Sequence, residues 1–222
     1  MASNVHISKH PCVRAKLSQL RSRSTNARET NALVHEIATM VGSDALAHGL
    51  DIVETGTDYS PLGYEYHTEH VSPERICLVP ILRSGLSMIP AVQALLPSPV
   101  PVNHLGMYRE KSTLQPVEYY NNLPYHKTDD PPAAELAIVV DPIIATGSTI
   151  CAAIDTLRDW GVQRIIVISV LASEDGLQRA ADSWPGAVEL WVGGVDAETD
   201  DRGMIKPGLG DMGDRLFLTV GK

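Results

Sequence analysis

The sequence predicts an α/β fold, with a mainly parallel central sheet flanked by helices on both faces, and three observations carry that expectation. RICLVPIL (75–82), LAIVV (136–140) and RIIVISVLAS (164–173) are short, nearly continuous apolar runs, which suit strands buried on both faces. Segments with helical spacing lie among them, such as STICAAIDTLRDWG (148–161). Strand-like and helix-like segments alternate along the chain, as strand–helix–strand units do. Sheets of this kind bind ligands at the carboxyl ends of their strands.

Taken in order, residues 10–48 read as helical, entered at His10-Pro11, with Leu33, Ile37, Met40 and Val41 on one apolar stripe. RICLVPIL is a buried strand, followed by a turn at Ser84-Gly85 and a short helix through Pro97. Residues 109–135 are polar, hold several prolines and Asp129-Asp130, and lack periodicity, so a lid or binding loop is expected there. The LAIVV strand stops at Asp141-Pro142, because proline cannot donate to a ladder. A loop of small and hydroxyl-bearing residues, Ala145 to Thr149, opens a helix with Ile150, Ile154 and Leu157 at helical spacing and Gly161 at its end. RIIVISVLAS is a further strand, EDGLQRAADS (174–183) a helix, AVELWVGGV (187–195) a strand, and RLFLTV (215–220) reads as strand-like. There is no internal repeat and no low-complexity tract.

The 222 residues suit one domain spanning 1–222, and 44% hydrophobic with 20% charged residues is an ordinary globular balance. No apolar stretch is long enough to span a bilayer, and MASNVHISKH lacks the apolar core of a secretory signal. The three cysteines are widely spaced and form no C-x-x-C pair, so a reducing, cytoplasmic location is expected rather than a disulfide or zinc framework. A net charge of −9 argues against nucleic acid and anionic membranes as partners.

The segment DPIIATGST (141–149) concentrates the functional signal. A strand, an acidic turn, a small-residue loop and a helix aim backbone N–H groups and a helix N-terminus at one point, which makes an anion site. The loop has no lysine, so it is not a Walker loop. A carboxylate beside a phosphate cradle suits sugar hydroxyls, and a phosphorylated ribose fits both halves. The competing reading is an ordinary strand-to-helix connection with an N-cap serine.

The loop resembles the ribose-phosphate loop of type I phosphoribosyltransferases, and Pro142 after Asp141 resembles the uracil phosphoribosyltransferase family. LVPILRSGLSM (78–88) is similar to that family's first arginine motif, HLGMYREKSTLQPVEYYNNLP (104–124) to its second arginine and flexible-loop motif, and GMIKPGLGDMGDRLF (203–217) to its uracil-binding segment. HPCVRAKLSQLRSRST (10–25) and LVHEIA (33–38) also match, so the resemblance spans nearly the whole chain.

The resemblance implies a type I phosphoribosyltransferase-like fold with a hood made from N- and C-terminal segments, and transfer of the phosphoribosyl group of phosphoribosyl pyrophosphate (PRPP) to uracil, giving UMP and pyrophosphate. It implies that Asp141, Pro142, Ile143, Ile144, Ala145, Thr146, Gly147, Ser148 and Thr149 hold the ribose and 5-phosphate. Arg83 and Arg109 would meet the pyrophosphate. Ile205, Gly210, Asp211 and Met212 would read the uracil edge, with Asp211 also near PRPP. Asp141, Asp211 and Arg109 become the catalytic candidates, with Mg²⁺ carried by PRPP rather than by a protein metal site. Family members are usually dimers or higher homo-oligomers, and some respond to GTP as an allosteric activator. Four places depart from the family pattern: Thr30-Asn31 for Phe-Arg, Ser84 for alanine, Asn122 for lysine, and Ser148-Thr149 for Gly-Ser.

Other readings stand beside these. Arg83 can be a structural arginine and Arg109 a solvated loop charge. Gly208 to Gly213 spells G-x-G-x-x-G, but Pro207 before it and the strand-like RLFLTV after it argue against a dinucleotide site. His67 and His70 stand three apart, and solvated or hydrogen-bonded histidines are favoured over a metal site for the eight. Tyr119-Tyr120 can pack the loop onto the core, and Cys77 and Cys151 read as buried apolar fillers. A phosphoribosyltransferase for another base, and a nucleotide- or RNA-binding regulator of pyrimidine genes, remain the alternative functions at this point.

Overall fold

The computed structural model describes residues 2–110, 116–125 and 133–219. In chain order, β1 (Val5–Ile7) precedes α1 (Pro11–Leu20) and α2 (Ala27–Gly49). A hairpin of β2 (Asp51–Tyr59) and β3 (Glu65–Ser72) follows. Then β4 (Ile76–Leu82) runs through a 3-10 turn at Ser84–Met88 into α3 (Ile89–Gln93), ahead of β5 (Leu105–Arg109) and β6 (Pro116–Asn121). The central unit is β7 (Leu136–Val140), β8 (Ile143–Ile144) and α4 (Ser148–Trp160). After it come β9 (Arg164–Ser169), β10 (Leu171–Ser173), α5 (Glu174–Ser183), β11 (Val188–Val192) and β12 (Val195–Asp196). The last elements are β13 (Glu198–Thr199), β14 (Ile205–Lys206) and α6 (Met212–Phe217).

The main sheet has the order β1-β11-β9-β7-β4-β5-β6, and every neighbouring pair is parallel except β5 with β6. Because side chains alternate across a strand, β7 sends Ile138 and Val140 to one core and Ala137 and Val139 to the other. The first core is closed by α1, α2, α3 and α6 through residues such as Leu17, Ile37, Val92 and Leu216. The second is closed by α4 and α5 through Ile150, Ile154, Leu157 and Leu177. The expected α/β sheet with helices on both faces is therefore what forms. The hood expected from the two ends of the chain is a junction in which Arg21 grips Asp196 at 2.7 Å and Arg215 donates to the Leu20 carbonyl at 2.8 Å.

Several expectations change in detail. The helical run over 10–48 is two helices, because Asn26 accepts from the Glu29 N–H while Glu29 bonds back to the Asn26 N–H and starts α2 afresh. RIIVISVLAS splits after Ser169: Val170 and Leu171 both donate to the Pro142 carbonyl, and the chain passes into a small parallel sheet of β8, β10 and β12. The described residues of RLFLTV, 215–219, form no strand. The first three belong to α6, which Asp211 caps by accepting from the Asp214 N–H at 3.0 Å while Met212 and Leu216 turn into the core. The aperiodic region 109–135 holds strand β6, while residues 111–115 and 126–132 of it lie outside the described residues. The β2–β3 hairpin had no counterpart in the sequence reading.

Candidate functional site

The carboxyl ends of β4 and β7, the loop into α4, and the segment from Met204 to Gly213 surround a cavity of about 240 Å³. Asp141 directly follows β7 and is 7% exposed at the wall of this cavity. Ser84 Oγ donates to Asp141 Oδ1 at 3.0 Å, and the Ile143 N–H also donates to the carboxylate. Burial outweighs both bonds and pushes the Asp141 carboxyl up to about 7 from an ordinary 3.8. Ser84, one of the departures from the family pattern, thus meets the acidic residue of the loop directly.

Beyond Asp141 the loop is built for close backbone approach. Gly147 is the N-cap of α4 with φ +78°, and no side chain caps this helix. An ordinary connection with an N-cap serine is therefore not what forms here. The leading N–H groups of a helix lack intrahelical partners, and Gly147, Thr149 and Ile150 line the cavity where those groups begin. Ser173 fixes the loop from behind, donating to the Ala145 carbonyl at 2.5 Å and accepting from the Gly176 N–H at 2.9 Å. Ser148 Oγ accepts from Thr146 Oγ1 and from Arg179 Nη1, each at 3.2 Å.

The other wall is the glycine-rich segment. Gly208 and Gly210 adopt positive φ of +62° and +74°, open to glycine without strain. Asp196 accepts from the Gly208 N–H at 3.0 Å, and Arg21 donates to the Gly208 carbonyl at 3.0 Å. Arg215 donates to the Leu209 carbonyl at 2.7 Å, so the N-terminal and C-terminal segments hold this wall together. The G-x-G-x-x-G letters do stand between a strand and a helix, contrary to the sequence reading. That strand is β14, a two-residue partner of β13 outside the parallel sheet, and the helix is only six residues long. This is not the strand-turn-helix of a dinucleotide unit.

Of the residues singled out from the sequence, Asp141, Ile143, Ile144, Ala145, Thr146, Gly147, Thr149, Ile205, Gly210, Asp211 and Met212 all line the one cavity. Pro142 and Ser148 are not among the lining residues: the Pro142 carbonyl accepts from the Val170 and Leu171 N–H groups, and Ser148 accepts from Arg179. Arg83 is half-exposed, 3.5 Å from Asp214 and donating to Thr219 Oγ1 at 3.2 Å, so its guanidinium lies on α6 rather than on the cavity wall. Arg109 ends β5, and its side chain lies outside the described residues. Asp211 reaches the cavity while one of its oxygens caps α6.

Sequence reasoning missed the apolar side of the cavity, formed by Ile81, Leu82, Met107, Tyr108, Met204 and Leu209. Tyr108 and Met107 fall within HLGMYR, of which Leu105–Arg109 forms β5. It also missed Arg179, a cation beside the anion loop that shares α5 with the residues packing on α4. The departures elsewhere serve packing. Asn122 accepts from the His104 N–H at 2.5 Å, closing the β5–β6 pair, and Thr30 is fully buried with Arg215 reaching its hydroxyl at 3.5 Å. His67 and His70 lie on the exposed β3, His67 3.7 Å from Glu54. Tyr119 and Tyr120 are about half exposed rather than packed on the core. Cys77 is buried, and burial pushes its thiol up to about 12.

No helix of the described residues is long and apolar enough to cross a membrane. The sequence matches the uracil phosphoribosyltransferase family over residues 7–219. It is 40% identical over 215 residues to the uracil phosphoribosyltransferase of Roseiflexus castenholzii, covering 97% of this chain and 98% of that one. It is 36% identical over 217 residues to the uracil phosphoribosyltransferase of Listeria monocytogenes serovar 1/2a, with 98% and 99% covered. Among solved structures, the AQ2163 protein of Aquifex aeolicus superposes with a TM-score of 0.84 at 29% identity, over 96% of this chain and 97% of the other. A sheet with an acidic, glycine-turned loop at its carboxyl end and a near-complete sequence match lead to one conclusion: the chain belongs to the uracil phosphoribosyltransferase family.

Proposed function

We propose that this chain transfers the 5-phosphoribosyl group of PRPP to N1 of uracil, releasing UMP and pyrophosphate. The observation that carries the reading is a single cavity whose walls are the Asp141–Thr149 loop and the Ile205–Gly213 segment. The first is suited to a phosphorylated sugar and the second to a flat, hydrogen-bonding base.

The C1–pyrophosphate bond breaks early in such a transfer, leaving an oxocarbenium-like ribose, so positioning and charge complementarity supply most of the rate. The uncapped start of α4 and the turn at Gly147 offer N–H donors to the 5-phosphate. Asp141 accepts the ribose hydroxyls and, when ionised, stabilises the positive ring. The backbone around Gly210 to Met212, with Ile205 beneath it, holds uracil with N1 toward C1. Leu82, Met107 and Tyr108 exclude water from the reacting centre. Arg109 and Arg83 answer the pyrophosphate charge, Arg83 by exchanging Asp214 for the ligand. Asp211 hydrogen-bonds rather than abstracts a proton, since one of its oxygens is held by the α6 N-terminus.

Mg²⁺ suits this site as a passenger of PRPP, because it keeps most of its own oxygen shell and needs only one or two carboxylates, here Asp141 and Asp211. When bound, it neutralises charge on the pyrophosphate. A homo-oligomeric state, a cytoplasmic location, which three free thiols suit, and GTP as an effector complete the proposal.

The test is conversion of labelled uracil to UMP with PRPP and Mg²⁺ by the wild type and by Asp141→Asn. Turnover by the wild type and a loss of about 10²–10³-fold in the variant are expected. No turnover of uracil, with turnover of a purine instead, would overturn the base assignment.

A further inference from the structure

At the β1–β11 edge of the main sheet, three elements bring metal-binding side chains together. His6 comes from β1, His48 from the last turn of α2, and Glu189 from the start of β11. Nε2 of His6 lies 3.7 Å and Nε2 of His48 lies 3.6 Å from the same oxygen, Glu189 Oε2. All three donor atoms fall within 4.8 Å of one another. We propose that His6, His48 and Glu189 form a Zn²⁺ site that clasps the edge strand β1 to the end of α2.

The geometry is close to what the ion demands. With bonds of about 2.0–2.1 Å, a tetrahedral zinc sets its donors about 3.4 Å apart. Each histidine is therefore within a few tenths of an ångström of its place relative to the carboxylate, while the two imidazole nitrogens, within 4.8 Å of one another, have up to about 1.4 Å to close. The ligands are also supported from outside. The His6 ring stacks on Trp191 with centroids 4.0 Å apart and planes 12° apart. Trp191 Nε1 donates to Glu189 Oε2 at 3.3 Å, the kind of outer bond that orients a ligating carboxylate. His48 is more than half exposed, so an ion has a path in and water can take the remaining position.

The donor set selects the metal. Two imidazoles and one carboxylate suit zinc, copper, nickel or iron, and zinc takes this His₂Glu set with one position left to water, whereas Mg²⁺ and Ca²⁺ take all-oxygen shells. The substrate's Mg²⁺ is therefore not the ion for this place. The clasp has a mechanical reason: β1 is a three-residue edge strand, and through His6 a bound ion would join it to both β11 and α2. The same three groups could otherwise be an ion-pair cluster of protonated histidines, and the test separates the two.

The metal-stripped full chain, without PRPP, is titrated with ZnCl₂ by equilibrium dialysis and calorimetry, and with Co²⁺ by visible absorption. A Cys12→Ser/Cys151→Ser background removes the accessible thiols as competitors. The expected result is one saturable Zn²⁺ per chain and a visible Co²⁺ spectrum of low-coordinate intensity. Affinity should fall more than tenfold in His48→Ala and in Glu189→Gln, and about tenfold in Trp191→Phe, which removes only the outer bond. Thermal midpoint should rise with Zn²⁺ in the wild type and not in His48→Ala. Binding that is unchanged in both His48→Ala and Glu189→Gln, or no saturable uptake by the wild type, would overturn the proposal.

Discussion

Asp141 carries two demands that pull in opposite directions. Its place in the cavity wall buries the carboxyl and raises it to about 7, yet ribose hydroxyls and a developing positive charge call for the ionised form. Ser84 and the Ile143 N–H moderate the burial by donating to the carboxylate, and both favour ionisation. The sign follows. Below about pH 7 the free enzyme holds Asp141 mostly protonated, and kcat/KM, which reports groups of the free enzyme, rises with pH through that region. Ser84→Ala removes a donor to the charged form, so the rising limb should move to higher pH while the rate on the plateau stays within a few-fold. A pH–rate profile of both proteins checks this, and an unmoved limb would remove Ser84 from the account.

The unit β7–loop–α4 shows which parts of an element are local and which are not. LAIVV, the α4 stripe and Gly161 were legible because their signals lie within a few residues: an apolar run, helical spacing and a left-handed glycine at φ +100°. The role of Gly147 is also local in cause, since its φ of +78° suits glycine, but its neighbour is remote. A Cβ there would fall 2.5 Å from the Gly176 carbonyl at the start of α5. Gly147→Ala therefore combines strain of about 1–3 kcal/mol with a displaced loop. The expected outcome is a lower thermal midpoint together with a raised KM for PRPP at least tenfold larger than any change for uracil, measured by steady-state kinetics. Equal changes in both would mean that the loop does not hold the phosphoribosyl half.

Other elements failed to announce themselves because their determinants are distant. RLFLTV has strand-like composition, and only the Asp211 cap and the core waiting for Met212 and Leu216 make its first half a helix. Arg83 directly follows an apolar strand, as a ligand-binding arginine would, but Asp214, far along the chain, decides where its charge rests. Asp141 and the Ile205–Met212 segment were read as one site only through their family resemblance, since no spacing rule links positions so far apart.

At the scale of the whole molecule, a chain of net charge −9 has to receive an anionic substrate, and local positive potential is the only route. The start of α4, Arg179 behind Ser148, and Arg83 at α6 gather that potential around the carboxyl ends of the sheet. The hairpin of β2 and β3 poses a different problem. Every residue of β2 is exposed, and Ile52 and Tyr59 are 70% and 66% exposed, with Leu62 and Tyr64 at the tip still more so. A lone two-stranded hairpin is marginal in water, and a run of exposed apolar side chains marks an interaction surface. Symmetric homo-oligomers are the commonest way to cover such a surface, so a second copy of the chain is the expected partner. The wild type should sediment as a dimer or larger at micromolar concentration, with a thermal midpoint that rises with protein concentration. Ile52→Glu combined with Leu62→Glu should shift sedimentation toward the monomer and abolish that concentration dependence, because two buried carboxylates per chain cannot be desolvated without partners. A wild type that sediments as a monomer throughout would leave the hairpin without this role.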